Sequence, residues 1–510
     1  MKATLRRWWR QLTSMRTALV LLLFLAIAAV PGSLLPQRRL NIEQVRQYFA
    51  ANPELAPTLD KLWLFDVYAA PWFAAIYLLL FTSLIGCLIP RLRTHLTALR
   101  TPPPDAPARM TMLPQHRALD TTTTVDAAKA GLRKAGYRVA VHETNGRATV
   151  AGEKGYAREA GNLLFHFSMM LLLVGVAYGS IFGWHGNRIL VAGEDAAFCN
   201  SLQQYDEYGL GAGIDATSLP PFCLQLNDFE AKFAEDGQPT TFLADVLYSE
   251  DGSAPSEQYD LRVNHPLDLD GASVFLLGHG YAPVISYTDR YGVTQTSTTA
   301  FLPEDMSLVS NGAAVFPDAN IDPETGERDP DSQVAFEGLF IPNAPEQPPY
   351  TTSISPAADN PRLLLIAYRG DTGLDDGQPR SVYSVDVNQI ESGELEIVET
   401  EQKFLAPGES VELDDGSYVT FEGFKPYATL QVREDPGELL VLVAAILMLG
   451  GLMPGLIVKR RRVWVRVGDE GTEVGGLTRN EYEGFAEEFD RLADEINEAG
   501  TARDTIGSKA

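Results

Sequence analysis

The chain has 510 residues, too many for one ordinary hydrophobic core, and carries 41 Lys plus Arg against 67 Asp plus Glu, a formal net charge of -26. That balance excludes the basic footprint of a nucleic-acid-binding protein. Three cysteines without a C-x-x-C pair leave thiol-redox chemistry and a covalent c-type haem site unsupported.

The charge is segregated. Between His185 and Pro436 there are 44 Asp plus Glu and 11 Lys plus Arg, whereas four runs elsewhere are apolar and free of charge. They cover 17–35, 69–90, 161–184 and 439–458. Each is long enough for a helix to cross about 30 Å of hydrocarbon. In lipid a single segment satisfies its backbone only as a helix, so four transmembrane helices are expected. Lys2, Arg6, Arg7, Arg10 and Arg16 precede the first run, Arg91, Arg93 and Arg100 follow the second, and Lys459, Arg460, Arg461 and Arg462 follow the fourth. Four crossings bring these clusters to one side, which the positive-inside rule makes the cytoplasm. Segments 1–16, 91–160 and 459–510 are therefore expected inside, and 36–68 and 185–438 outside, with the plasma membrane between them. Ala26-Ile27-Ala28 resembles a signal-peptide cleavage site, but the apolar run continues to Leu35, which favours a retained anchor.

In chain order, Asn41 to Ala50 reads as a small interfacial helix in the first outer loop, and T-P-P-P-D-A-P (101–107) as a stiff linker. Val125 to Ala135 has helical spacing. Tyr137–His142 and Arg147–Ala151 alternate around Asn145-Gly146, a strong hairpin signal. The outer segment 185–438 reads as strands, among them Ser273–Leu277, Leu363–Tyr368, Ser381–Val387, Leu395–Val398, Tyr418–Phe421 and Thr429–Val432. Gly, Pro, Asp and Asn separate them, as in antiparallel sandwiches or an open barrel, with room for two lobes. Residues 317–361, rich in Pro, Asp and Asn, read as a long loop, and G-L-G-A-G (209–213) as another. Behind the fourth run, Val463–Val467 reads as a strand and Asn480–Ala499 as an amphipathic helix. The fold class expected is a polytopic α-helical membrane protein with a large extracytoplasmic all-β domain and small cytoplasmic α+β segments.

No P-loop, G-x-S-x-G, H-E-x-x-H or kinase signature occurs, so no catalytic residue is assigned. Of seven histidines, His95, His116 and His142 are scattered through the cytoplasmic part and read as isolated surface residues. His185 sits where the third run ends. His265 in V-N-H-P-L and His279 in L-G-H-G-Y-A-P lie on expected strands, where they could face one another; structural roles are expected for both. Trp72 and Trp184 fall at the ends of runs, as in an aromatic belt. Cys87 reads as packing in the second run. Cys199 and Cys223 lie in a compartment that permits oxidation and are candidates to pair.

His166 is different, because it lies inside the third run, in H-F-S-M-M-L-L-L-V-G. An ionisable residue in a span is by default a functional candidate. Neutral imidazole is a common metal and haem-iron ligand. The alternative is a hydrogen bond to a neighbouring helix. Met169 and Met170, at i+3 and i+4, share its side of the helix and cannot reach the opposite face of a porphyrin. No other run contains a histidine, so a six-coordinate haem in the membrane needs a second protein.

These stretches resemble the ResB family of System II (Ccs) cytochrome c biogenesis membrane proteins, of actinobacterial type. The resemblance covers nearly the whole chain. It is carried by S-M-R-T-A-L-V-L-L-L-F-L-A-I-A-A-V-P-G-S-L-L-P-Q, P-W-F-A-A-I-Y-L-L-L-F-T-S-L-I-G-C-L-I-P-R, H-F-S-M-M-L-L-L-V-G, V-N-H-P-L, G-H-G-Y-A-P, I-A-Y-R-G-D-T-G, R-E-D-P-G and R-R-R-V-W-V-R. It implies a subunit, not catalytic alone, that works with a CcsA/ResC-type membrane partner to bind haem b in the membrane, help export it and support its attachment to apocytochrome c outside. His166 matches the family's third-span histidine and is implied as one axial ligand of a haem shared with the partner, with none bound tightly by this chain alone. Further implied partners are thioredoxin-like thiol-reducing proteins and membrane lipid. A haem-binding outer cysteine is implied for some family members, and that role does not map onto Cys199 or Cys223. A membrane-anchored β-domain scaffold or receptor without haem remains the alternative.

Overall fold

The computed structural model describes residues 2–38, 42–144, 147–193, 197–234, 237–269, 271–326, 330–373, 383–468, 471–478 and 484–507. Two compact units divide the chain, one made of 1–178 with 437–510, the other of 179–436.

In the first unit, four helices are long and apolar enough to cross a membrane: Met15–Leu34, Pro71–Arg100, Ala157–Phe182 and Glu438–Ile457. They are apolar all round, and large side chains such as Leu22, Phe24, Ile446 and Leu449 stay exposed. In water that exposure would cost about 25 cal/mol per Å²; against hydrocarbon it costs nothing. The first helix starts where the Ser14 hydroxyl accepts the Thr17 N–H at 3.2 Å, an ordinary N-cap. The second helix grips that corner with small residues. Ser83 donates to the Leu12 carbonyl and the Cys87 thiol to the Thr13 carbonyl, each at 2.7 Å, while a Cβ on Gly86 would lie 2.0 Å from the Thr13 methyl.

Helices Ile42–Ala51 and Ala56–Lys61 fill the loop after the first apolar helix, packed around Val45, Ala56 and Phe65. Gln37 is buried and closes the loop: its amide donates to Leu64 O and accepts from Val67 N, both at 3.0 Å. Arg38 pairs with Asp60 at 2.6 Å and also with Asp66.

The rest of this unit is one five-stranded antiparallel sheet, in the order Gln115–Leu119, Gly471–Thr478, Arg461–Gly468, Arg147–Lys154, Arg138–Thr144. Helices Val125–Lys134 and Gly484–Gly507 cover it, burying Leu132, Val150, Val465, Phe489, Leu492 and Ile496. In the sequence, 91–160 and 459–510 read as separate segments. They form a single α+β layer, because Arg461–Gly468 pairs with Arg147–Lys154 on one side and Gly471–Thr478 on the other. The Pro-rich linker lies along this layer: the Trp464 indole donates to Pro104 O at 2.9 Å and His142 Nε2 to Pro103 O at 2.7 Å. The expected hairpin turn Asn145-Gly146 falls outside the described residues; the strands on either side close on Thr144 and Arg147.

The second unit is β-rich. Its sheets hold seven, five and four strands, and among the described residues the paired strands all run antiparallel. Two strands of 17 residues, Ala272–Thr288 and Tyr418–Glu434, pair along their whole length and run through two cores. Near Val274 and Val432 they pack with Leu224, Leu226 and Phe229 of the four-stranded sheet. Near Ile285 and Phe421 they pack with Phe316, Phe336 and Phe340 of the five-stranded sheet. Two register shifts, at Leu276/Gly278 and Val284/Ile285, bend the pair between the lobes.

Three expectations fail here. The long loop over 317–361 contains the strand Val334–Ile341, buried at most positions. Ser381–Val387 is not a strand: 381 and 382 lie outside the described residues, and Val387 opens the short helix Val387–Ser392, with the Asp386 carbonyl accepting from Gln389 and Ile390. In 209–213, Gly209 and Leu210 end the strand Glu207–Leu210 rather than lying in a loop.

Candidate functional site

The third apolar helix begins at Ala157, four residues before the apolar run, with Glu159 in its first turn where an acid suits the helix dipole. Gly161, Ser168 and Gly175 are buried at intervals of seven. They form a seam against the fourth helix. A Cβ on Gly161 would stand 2.6 Å from the Gly451 carbonyl oxygen, and one on Gly175 would stand 3.0 Å from Val441. Small residues let two backbones approach this closely where lipid supplies no hydrophobic drive.

His166 points elsewhere. At 100° per residue it lies roughly 140–180° around the helix from the seam residues. Its side chain is half-buried, with the Phe165 ring edge-on at 5.2 Å. Nδ1 lies 2.8 Å from the carbonyl oxygen of Asn162, one turn back. A carbonyl only accepts, so Nδ1 carries a proton, and in the neutral imidazole Nε2 then keeps its lone pair. No protein group among the described residues takes that lone pair. Metal-binding histidines are commonly set this way, with the second nitrogen donating to a backbone carbonyl. The second helix reaches the same side one heptad further on, where the Tyr77 hydroxyl donates to Leu173 O at 3.4 Å.

The other histidines are placed differently from one another. His95 is buried with Nδ1 unpartnered, and His116 Nε2 is also buried without a partner, so neither is the isolated surface residue expected. His185 is exposed on the strand Trp184–Val191. His265 is exposed, 3.4 Å from the Val263 carbonyl. His279 sits among Phe229, Phe233 and Phe242, with ring centroids 5.3, 6.1 and 4.7 Å away. Burial there pulls its pKa down to about 4. No hydrogen bond or ring contact joins it to His265. Cys199 and Cys223 stand directly opposite on paired strands and form a disulfide. Among the described residues no cluster of three or more His, Cys, Asp or Glu is arranged to hold a metal ion.

One arrangement was not anticipated. Glu153, 3% exposed at the end of the strand leading into the third helix, accepts from Tyr156 at 2.7 Å, Arg460 at 2.9 Å and Arg462 at 2.8 Å. Burial works against its charge, but the hydrogen bonds from Tyr156 and Arg462 and the nearby guanidinium charge outweigh it, so the carboxyl titrates below its usual range. The arginine cluster was visible in the sequence as a flank; its buried counter-ion 307 positions earlier in the chain was not.

Residues 15–490 match the ResB-like family. Over 97% of its length the chain is 25% identical to a protein of Synechococcus sp. (strain JA-2-3B'a(2-13)) named cytochrome c biogenesis protein CcsB, covering 94% of that relative. Proteins of the same name from Prochlorococcus marinus (strain MIT 9313) and Paulinella chromatophora are 24% and 22% identical, each over 96% of this chain and 98% of their own length. The similarity therefore runs through the apolar helices and the β-rich region alike, and the chain belongs to the ResB-like family.

Proposed function

We propose that this chain is a haem-handling subunit of System II cytochrome c biogenesis, with His166 Nε2 as one axial ligand of a haem b held within the membrane. The observation that carries the reading is the set of the imidazole: Nδ1 is committed to Asn162 O, and Nε2 is bare on the side of the helix turned away from its seam. The second ligand comes from a CcsA/ResC-type membrane partner, since no other apolar helix of this chain contains a histidine within its apolar run. A haem shared in this way is held only while the two proteins are together, which suits cargo that must be passed on. Export of haem and its attachment to apocytochrome c outside follow from the complex rather than from a catalytic set in this chain.

The same reading places both termini and the α+β layer in the cytoplasm and the β-rich unit outside. Two features support it. Basic clusters flank the inner ends of the first, second and fourth helices. Strands from 115–154 and from 461–478 share one sheet, which a membrane cannot pass through.

The test is an alanine at position 166 in the full chain expressed with its partner. His166→Ala is expected to insert normally and lose the membrane haem, and added imidazole is expected to restore a low-spin spectrum. A variant with unchanged haem content refutes the ligand role and leaves a membrane-anchored scaffold.

A further inference from the structure

Where the third apolar helix begins and the fourth finishes, the chain forms an open cleft of about 570 Å³ that the haem reading does not use. Lys154, Gly155, Tyr156, Ala157, Ile457, Val458, Lys459 and Arg461 line it. The turn into the third helix is pressed against the turn out of the fourth: a Cβ on Gly155, at φ +96°, would stand 2.2 Å from the Lys459 carbonyl. The lining has two characters. Ile457, Val458 and Ala157 continue the apolar surface of the two helices, and Lys154, Lys459 and Arg461 put three cations beside it with no acid among the lining residues.

The neighbouring ion pairs leave a surplus of positive charge. Lys154 donates to Ala135 O at 2.8 Å, Arg461 pairs with Glu488 at 2.7 Å, and Arg460 and Arg462 share the single carboxylate of Glu153. Among the described residues Lys459 has no carboxylate partner. Arg158, in the first turn of the third helix, has a buried Nη1 without any partner. A surplus of positive charge against an apolar wall fits a ligand with an anionic head on an apolar body. The haem of the preceding section does not fit, because Ala157 lies nine residues from His166, about 14 Å along the helix and on its opposite face.

We propose that this cavity holds the phosphate headgroup of an anionic phospholipid, with Lys459 as the charge that selects it and Ile457, Val458 and Ala157 against the first acyl carbons. Basic pockets between spans at a membrane surface recognise anionic headgroups by this combination. The lipid would tie the ends of the third and fourth helices together at the point where both enter the α+β layer. The proposal rests on these helices being membrane spans and not on His166 holding haem.

The test uses the full chain, purified in zwitterionic detergent, with phosphatidylglycerol, phosphatidylcholine or inorganic phosphate added and lipid retention read by native mass spectrometry. Phosphatidylglycerol is expected to be retained over phosphatidylcholine. Lys459→Gln is expected to weaken that retention about fivefold. Lys459→Arg should keep it, and Arg93→Gln, which removes a charge outside the cavity, should leave it unchanged. Equal retention of the two lipids, or no effect of Lys459→Gln, overturns the proposal. Displacement of the lipid by inorganic phosphate alone overturns it in favour of a free-anion site. His166→Ala is expected to leave lipid retention intact, which separates this outcome from the fate of the haem reading.

Discussion

A single hydrogen bond gives His166 its chemical meaning. The histidine stood out in the sequence because an apolar span rarely carries one, but its tautomer did not, since the partner is the main chain of Asn162 rather than a side chain. His279 shows the opposite limit. Nothing in L-G-H-G-Y-A-P announces three phenylalanines, which come from two strands of another sheet. Their burial of His279 has a measurable consequence. The unfolded chain takes up a proton near pH ~6.5, and the folded chain refuses it until about pH 4. Stability of the β-rich unit should therefore fall as pH drops through that window. His279→Phe should flatten the dependence in denaturant titrations at several pH values; an unchanged slope would show that other groups set it. Glu153 titrates in the other direction, below its usual range, so its contribution is present at neutral pH and is lost as pH falls through that lowered value. Glu153→Gln leaves two arginines without their shared charge and should destabilise the five-stranded sheet of the α+β layer by about 3 kcal/mol. Amide exchange in Arg147–Lys154 and Arg461–Gly468 reads this directly.

Among the elements, the apolar helices were legible because nothing else keeps about 20 residues apolar and uncharged. Their ends were less so. The third starts earlier than its apolar run and the second continues to Arg100, because charged turns extend a helix beyond the hydrocarbon. The seam Gly161, Ser168, Gly175 was present in the sequence as small residues seven apart and marks which face packs. Gly161→Ala forces a methyl to within 2.6 Å of a backbone oxygen and should cost about 1–3 kcal/mol in thermal unfolding. Gly450→Ala, with nothing within 4 Å, is the matched control and should be neutral. Equal effects would mean that the seam does not hold the pair. The strand Val334–Ile341 was hidden for a physical reason. Val334 and Phe336 face one core and Ala335 another, so the strand shows no alternation, and the surrounding Pro and Asp read as loop.

At the scale of the molecule, local patterns fail where pairing is distant. The α+β layer joins strands more than 300 residues apart in the chain, with two apolar helices and the whole β-rich unit between them. Each strand alone looked like a fragment of a separate segment. The shared sheet predicts that single cysteines placed at exposed positions of 115–154 and of 461–478 will be labelled from the same side of sealed membranes; labelling from opposite sides would contradict the fold itself. The length of the β-rich unit left room for two lobes, but the 17-residue strands that run through both cores were seen only as short pieces, because each changes its buried face at a bulge. The claim on which the functional account depends is the ligand role of His166. The measurement that tests it most directly is the absorption spectrum of the complex purified with its CcsA/ResC-type partner, wild type beside His166→Ala. A low-spin haem band present in the first and lost in the second is the predicted result; equal bands would place all the haem on the partner and contradict the account.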